Sequence, residues 1–250
     1  MLNYLIAFLT TFLFRYNWFV VHAWVRHSVR PIPLKNPPRH AHEDVTVVIP
    51  TICTDGELPL FEKVLRSLAN ARPHSIIVVT PHPRSERIQM LAANVGGNIR
   101  VIGSDKKSKR HQVCLGIREV KTDFTILADD DVWWPGGERA IPAFLAPFEN
   151  PDTVAAGTCQ AVERKNWINI AEFLGCLYIA RRNGEFVPTS AIDGGHSCLS
   201  GRTMIIRTQV LQDQEFKKAY LGETCLGRQL NPDDDNCITR YLYRRGRIEI

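Results

Sequence analysis

The chain has 250 residues, is 44% hydrophobic and 23% charged, and carries a formal net charge of +5. That length suffices for one sizeable α/β domain with or without a membrane segment, and the composition is that of a globular rather than a disordered protein. The basic residues are dispersed, with no aromatic-interleaved basic patch on which bases could stack, so nucleic acid is not an expected partner.

Residues 2–25 are dominated by Leu, Ile, Phe, Val and Trp, interrupted by Arg15, Asn17 and His22. As a helix this stretch would extend about 36 Å, enough for the roughly 30 Å hydrocarbon core of a bilayer. Arg15 lies near its middle, where a charge is costly. Two readings therefore stay open, a transmembrane helix and an amphipathic helix in the membrane interface, and lipid is the expected partner of either. A cleaved signal peptide fits poorly, because no basic region precedes the apolar run and no small-x-small site follows it. Arg26, Arg30, Lys35 and Arg39 come next and place the rest of the chain on the cytosolic side. The seven cysteines, Cys53, Cys114, Cys159, Cys176, Cys198, Cys225 and Cys237, form no CxxC pair, which agrees with a reduced compartment. The expected organisation is a membrane helix over residues 1–27, a stiff proline-rich basic linker over 28–42, and a catalytic domain over 43–250.

From residue 45 strand and helix patterns alternate. Residues 45–50 are a β-branched buried strand, and Leu58, Phe61, Leu65 and Leu68 recur at helical spacing. A second strand is predicted over 75–80, a short helix over 87–93, a third strand over 99–102, a helix over 109–119 and a fourth strand over 124–128. Such alternation predicts an α/β fold, a mostly parallel sheet with helices on both faces, whose ligands sit beyond the carboxyl ends of the strands. Thr51, Thr80 and the acidic run Asp129, Asp130, Asp131 fall on that rim. No GxGxxG or GxxxxGK[ST] sequence is present.

Side chains alternate along extended backbone, so Asp129 and Asp131 can converge while Asp130 points elsewhere. Two converging carboxylates repel each other unless a cation stands between them, and Mg²⁺ or Mn²⁺ commonly bridges such a pair to substrate phosphates. An acidic surface turn would give the same spacing. The second half is less regular: a strand over 154–162, a helix over 167–181 with Ile168, Ala171, Leu174 and Tyr178 on one face, then the glycine-rich run 191–203. That run is either a plain loop or a backbone-lined site close to a ligand. Asp233, Asp234 and Asp235 precede the apolar positions Ile238, Tyr241 and Leu242. One acid can cap a helix there, and three exceed what capping needs.

In order along the chain, VTVVIPT, KSKR, ADDDVWWP, SCLSGRT and PDDDNCIT resemble family 2 glycosyltransferases of the processive, hyaluronan-synthase-like kind, and the fungal polysaccharide synthases among them most of all. The resemblance implies a GT-A fold, a cytosolic UDP-sugar donor, a carbohydrate acceptor and a divalent metal, Mg²⁺ or Mn²⁺. It implies nucleoside contacts at Thr51 and Thr80, a basic pair Lys109 and Arg110 near the donor diphosphate, and a DxD metal motif at Asp129 and Asp131, with Asp129 also facing the donor. It further implies an acceptor loop at Ser200, Gly201 and Arg202, and a general base at Asp235. The family's QxxRW motif and later transmembrane helices do not follow within the 250 residues, so the chain is read as either a truncated piece or a short homologue. Two other functions stay open, a nucleotidyltransferase on a similar sheet and a membrane-anchored nucleotide-sugar-binding protein without turnover.

Overall fold

The computed structural model describes residues 2–195 and 198–250. The chain divides into two compact units, one of Met1–Pro31 with Cys159–Ser197 and the other of Ile32–Thr158 with Cys198–Glu249. Segment 159–197, expected within the catalytic domain, is thus grouped with the N-terminal helix.

The larger unit is built on seven strands: β1 (Val45–Pro50), β2 (Ser75–Pro81), β3 (Ile99–Ser104), β4 (Phe124–Ala128), β5 (Thr153–Gly157), β6 (Thr203–Arg207) and, after a separate two-strand hairpin β7 (Thr224–Cys225) and β8 (Arg228–Gln229), β9 (Arg247–Glu249). Their spatial order is β3-β2-β1-β4-β6-β5-β9. β1, β2, β3 and β4 pair in parallel, β6 runs antiparallel to both neighbours, and β5 is parallel to β9. Every residue of β1, β2 and β4 is buried, because a parallel sheet is covered on both faces and its strands need no polar side.

The helices that cover it are α2 (Leu58–Asn70), α3 (His82–Val95), α4 (Lys109–Arg118) and α5 (Ala140–Leu145). α2 buries Phe61, Val64, Leu65 and Leu68. These pack with Val45, Val47, Ile49, Phe124 and Ile126 in one core cluster, each side chain contributing roughly 1.5–3 kcal/mol. α4 lies against the opposite face, where Gly116 meets Val48 and Val79. The remaining helices are α7 (Thr208–Leu211), α8 (Gln214–Gly222) and α9 (Asp234–Leu242).

Three sequence-based boundaries need correction. The helix expected over 87–93 spans all of α3, with a proline in its first turn, where no amide donor is required. The strand expected over 154–162 ends at Gly157. The helix expected over 167–181 is α6 (Ile170–Asp193), with Asn169 accepting the Ala171 and Glu172 amides as its N-cap. The glycine-rich run expected as a loop therefore begins inside α6, and Gly194, at φ 70°, ends that helix through its amide on the Ser190 carbonyl. His196 and Ser197 of that run lie outside the described residues.

The smaller unit consists of α1 (Leu2–Ser28) packed against α6. Among the described residues α1 is the one helix long and apolar enough to cross a membrane, with a mean hydropathy of 1.4. Its Phe8, Phe14, Trp18, Phe19 and Trp24 are exposed.

Gly116 tests the packing of α4 on the sheet. A Cβ there would overlap Val48 Cγ1 and come within 3.2 Å of Val79 Cγ2. Overpacking costs about 1–3 kcal/mol, whereas the helix-propensity gain of Ala over Gly is about 1 kcal/mol. Gly116→Ala should lower the melting temperature of the sheet unit by several degrees in a thermal denaturation scan. An unchanged or raised value would contradict the close approach.

Candidate active site

The rim is assembled by register. β4 and β6 are antiparallel with Ala128 opposite Thr203, so the end of β4 and the start of β6 meet. Asp129 therefore emerges beside the loop 198–202, and its amide donates to the Arg202 carbonyl at 3.2 Å. The same loop is fixed from behind, because the Leu199 amide donates to Thr239 Oγ1 of α9 at 2.9 Å. Thr239 Oγ1 in turn donates to the Asp235 carbonyl. Three segments far apart in sequence thus share one edge.

Lys109, the first residue of α4, joins them. Its Nζ lies 2.8 Å from Asp129 Oδ1 and 3.2 Å from Asp234 Oδ2. Burial alone would lower the lysine pKa, but the two carboxylates outweigh it and raise it above its ordinary value. For Asp129, burial and the nearby charges of Asp131 and Asp234 outweigh Lys109 and hold the carboxyl above its usual range. The N-terminus of α4 is tied to the segment before α9 by Ser108 Oγ on Asn231 Oδ1 at 3.1 Å.

Gly201 lies between Lys109 and α9. A Cβ there would be 3.6 Å from Lys109 Nζ and 3.5 Å from Asp235 Cβ, ordinary contact distances. Asp235 sits in the first turn of α9 and is not its N-cap. That position belongs to Asp233, whose side chain makes no capping bond and takes the Asn236 amide group instead. Asp235 Oδ1 accepts the Asn236 backbone amide at 2.9 Å. Ser200 is buried, with its Oγ accepting from the Arg202 amide.

Beyond Asp129 the acidic run turns, so Asp130 and Asp131 lie outside extended backbone, and its members part company. Asp130 turns to Thr51, whose Oγ1 donates to Asp130 Oδ2 at 2.5 Å, while Asp129 turns to Lys109 and Asp131 is exposed. Burial holds Asp130 above the usual carboxylate range, against the Thr51 bond. A divalent cation fits the chemistry of Asp129 and Asp131, two oxygen donors whose mutual repulsion is relieved in part by the Lys109 ammonium. Among the described residues no three His, Cys, Asp or Glu side chains gather as a metal cage. A cation here would need further oxygen ligands from a bound phosphate or water.

Three residues expected at the donor are buried. Arg110 is fully buried: it donates to the Tyr220 carbonyl at 2.8 Å, to Glu223 Oε2 at 2.8 Å and to the Pro232 carbonyl at 2.9 Å. Successive helical residues are separated by about 100° around the axis, so Lys109 reaches the rim while Arg110 braces α4 against α8 and the approach to α9. Thr80 is entirely buried and its hydroxyl has no partner. Thr51 is also buried, with its hydroxyl engaged by Asp130 and by the Cys53 amide.

Sequence reasoning left Asp234 without a role of its own within its acidic triplet, and missed Gln112 and Trp134. Gln112 donates from Nε2 to the Thr51 carbonyl at 3.0 Å. Trp134 fixes the exit of the acidic run, with its amide on Ser67 Oγ at 2.8 Å and its indole Nε1 on Thr203 Oγ1 at 3.1 Å. The tryptophan pair beside the acids was the only available signal.

A mostly parallel sheet with one antiparallel strand bringing a second loop to an acidic rim is a GT-A architecture. The chain belongs to a glycosyltransferase family: it matches the family described as glycosyltransferase like family 2 over residues 42–248. It is 41% identical over 238 residues to a type 2 glycosyltransferase of Zymoseptoria tritici, covering 95% of this chain and 50% of the relative. It is 26% identical over 225 residues to a hyaluronan synthase of Streptococcus pyogenes, covering 86% and 52% respectively. In fold it is similar to the mannosyltransferase PcManGT of Pyrobaculum calidifontis, solved with GDP-Man and Mn²⁺, with a TM-score of 0.58, 15% identity, and coverage of 100% of this chain and 66% of that one. The chain spans about half the length of the curated relatives it matches.

The lysine bridge has a pH signature. Its raised pKa means that its contribution to stability is complete below the ordinary lysine value of 10.5 and disappears as pH rises through the higher folded value. Lys109→Met should melt below the parent at neutral pH, leaving Asp129 and Asp234 opposed. The gap should persist to about pH 10.4, the ordinary lysine range, and close only above it. A gap that is absent at neutral pH, or closes near pH 7, would remove the bridge.

Proposed function

We propose that the chain transfers a sugar from a UDP-sugar to an acceptor sugar hydroxyl with inversion, in the synthesis of a polysaccharide. The carrying observation is the convergence of Lys109, Asp129, Gly201 and Asp235 from four separate segments on one rim. A metal-diphosphate donor needs cationic and carboxylate groups together, and an acceptor needs an open, backbone-lined surface beside a base.

Asp129 and Asp131 would hold Mg²⁺ or Mn²⁺, which supplies Lewis-acid neutralisation of the donor diphosphate. The Mn²⁺ and GDP-Man of the Pyrobaculum mannosyltransferase support a metal and a nucleotide sugar without deciding the base. Lys109 exchanges part of its contact with Asp129 for the diphosphate oxygens, and the positive end of α4 adds to the same field. The acceptor lies against Ser200, Gly201 and Arg202. Asp235 takes the proton of the attacking hydroxyl as the new bond to the anomeric carbon forms and the bond to the diphosphate oxygen breaks. One displacement of this kind inverts the anomeric centre. Asp234, through Lys109, positions the ammonium. On this reading α1 anchors the enzyme in a membrane with the sheet unit on the cytosolic side.

The donor half is tested by calorimetry with UDP and GDP, with and without Mn²⁺. UDP should bind more tightly than GDP and only with the metal. Asp129→Asn and Asp131→Asn should weaken this metal-dependent UDP binding markedly, whereas Asp130→Asn, which keeps an acceptor for Thr51, should do less. Equal losses at all three positions, or a preference for GDP, would overturn the assignment.

The chemical half is tested at Asp235. Asp235→Asn should leave UDP affinity close to that of the parent and reduce transfer by about 10² to 10⁴, the usual contribution of a general base. Transfer measured as release of UDP at the parent rate would remove Asp235 from the mechanism, and release of pyrophosphate would identify a nucleotidyltransferase instead.

A further inference from the structure

α6 carries a stripe that a soluble helix would bury. Ile170, Phe173, Leu174, Leu177 and Tyr178 follow the spacing of one helix face, yet their exposures are 74%, 47%, 58%, 49% and 59%. Trp167 and Ile168, just before the helix, are 79% and 89% exposed. Unpaired apolar surface of this extent marks a site of contact with a protein, a ligand or a membrane.

Three observations choose a membrane. First, α6 packs in the same compact unit against α1, and α1 exposes large apolar side chains around its circumference, so the stripe continues a surface already unsuited to water. Second, the stripe is bracketed by cations paired with aromatic rings. The Arg164 guanidinium lies 4.6 Å from the Trp167 ring centre, and that of Arg181 lies 5.8 Å from the ring centre of Tyr178. Tryptophan, tyrosine and arginine together are the composition of a bilayer interface, and cations complement anionic headgroups. Third, nine residues at the helical rise cover about 13.5 Å, under half of a roughly 30 Å hydrocarbon core. The stripe is long enough to lie in one leaflet and too short to cross both.

We infer that α6 is a second membrane contact, an interfacial helix whose Ile170, Phe173, Leu174, Leu177 and Tyr178 face enters one leaflet beside α1. Arg164, Lys165, Arg181 and Arg182 meet the anionic headgroups of that leaflet. The inference rests on the reading of α1 as the anchor, and it adds a surface that α1 alone does not require. Two contacts would fix the orientation of the chain on the membrane, which one helix cannot do.

The test uses the full chain in vesicles of phosphatidylcholine and phosphatidylserine containing a phospholipid with a diazirine in its acyl chain. After irradiation, lipid adducts are mapped by mass spectrometry. Adducts are expected on α1 and on Phe173, Leu174 and Leu177, but not on Leu60 and Met90, exposed apolar side chains of the sheet unit. A Leu174→Glu, Leu177→Glu double variant should lose the α6 adducts several-fold, keep those on α1 and retain the parent's melting temperature. Adducts on α1 with none on α6 would overturn the inference while leaving the anchor in place. Absence of adducts from both helices would overturn the anchor as well. Cross-linking of the α6 stripe to a second copy of the chain, without lipid adducts, would assign the face to self-association and likewise overturn the inference.

Discussion

The rim of the sheet unit depends on one charge balance. Asp129 follows β4 and Asp234 begins α9, and the two carboxylates repel each other unless a cation stands between them. Lys109 supplies it, at 2.8 and 3.2 Å from the two carboxylates. Partial burial sharpens the balance, because charges withdrawn from water interact more strongly and are more costly to leave alone. On the proposed function, a metal and a diphosphate would bring both signs of charge to the place where this ammonium stands. A site of this kind can exchange partners on binding a ligand without leaving any charge unmatched.

The charges meet because of the strand that runs against the others. In a wholly parallel sheet the segment before β6 would arrive at the far end of the sheet from Asp129. Antiparallel pairing of β4 with β6 brings the loop 198–202 to the acidic run and places Gly201 against Lys109 and Asp235. Buried residues behind the rim hold this geometry. Arg110 ties α4 to α8 and to the segment before α9, Trp134 ties the exit of the acidic run to α2 and β6, and Thr239 ties the loop to α9. Each satisfies buried polar groups that would otherwise be orphaned.

The two units follow different solvation rules. The strands of the larger unit are apolar along their whole length because helices cover both faces. The helices of the smaller unit, α1 and α6, expose large apolar side chains. On the inference drawn above, a bilayer would supply an apolar environment in place of a protein core, with the aromatic and cationic side chains beside the α6 stripe at its boundary.

The sequence by itself determined the parallel β1–β4 core, because a strand buried on both faces must be an uninterrupted apolar run and the helices between such strands keep a 3.6-residue period. It also singled out the stretches proposed as the site, since clustered carboxylates at strand ends and glycine-rich segments have few purely structural uses. Tertiary structure alone decided which member of each stretch takes which part. Lys109 and Arg110 are indistinguishable as adjacent basic residues, and only the rotation of α4 sends one to the rim and the other into the interior. Asp234 and Asp235 are equally acidic, and only the packing of α9 beside Gly201 and Lys109 gives them different neighbours. Thr51 and Thr80 end their strands at the expected level, yet burial turns their hydroxyls away from solvent. A residue's type and spacing are local properties of the chain, whereas its neighbours are set by contacts between segments far apart in sequence, 125 residues in the case of Lys109 and Asp234.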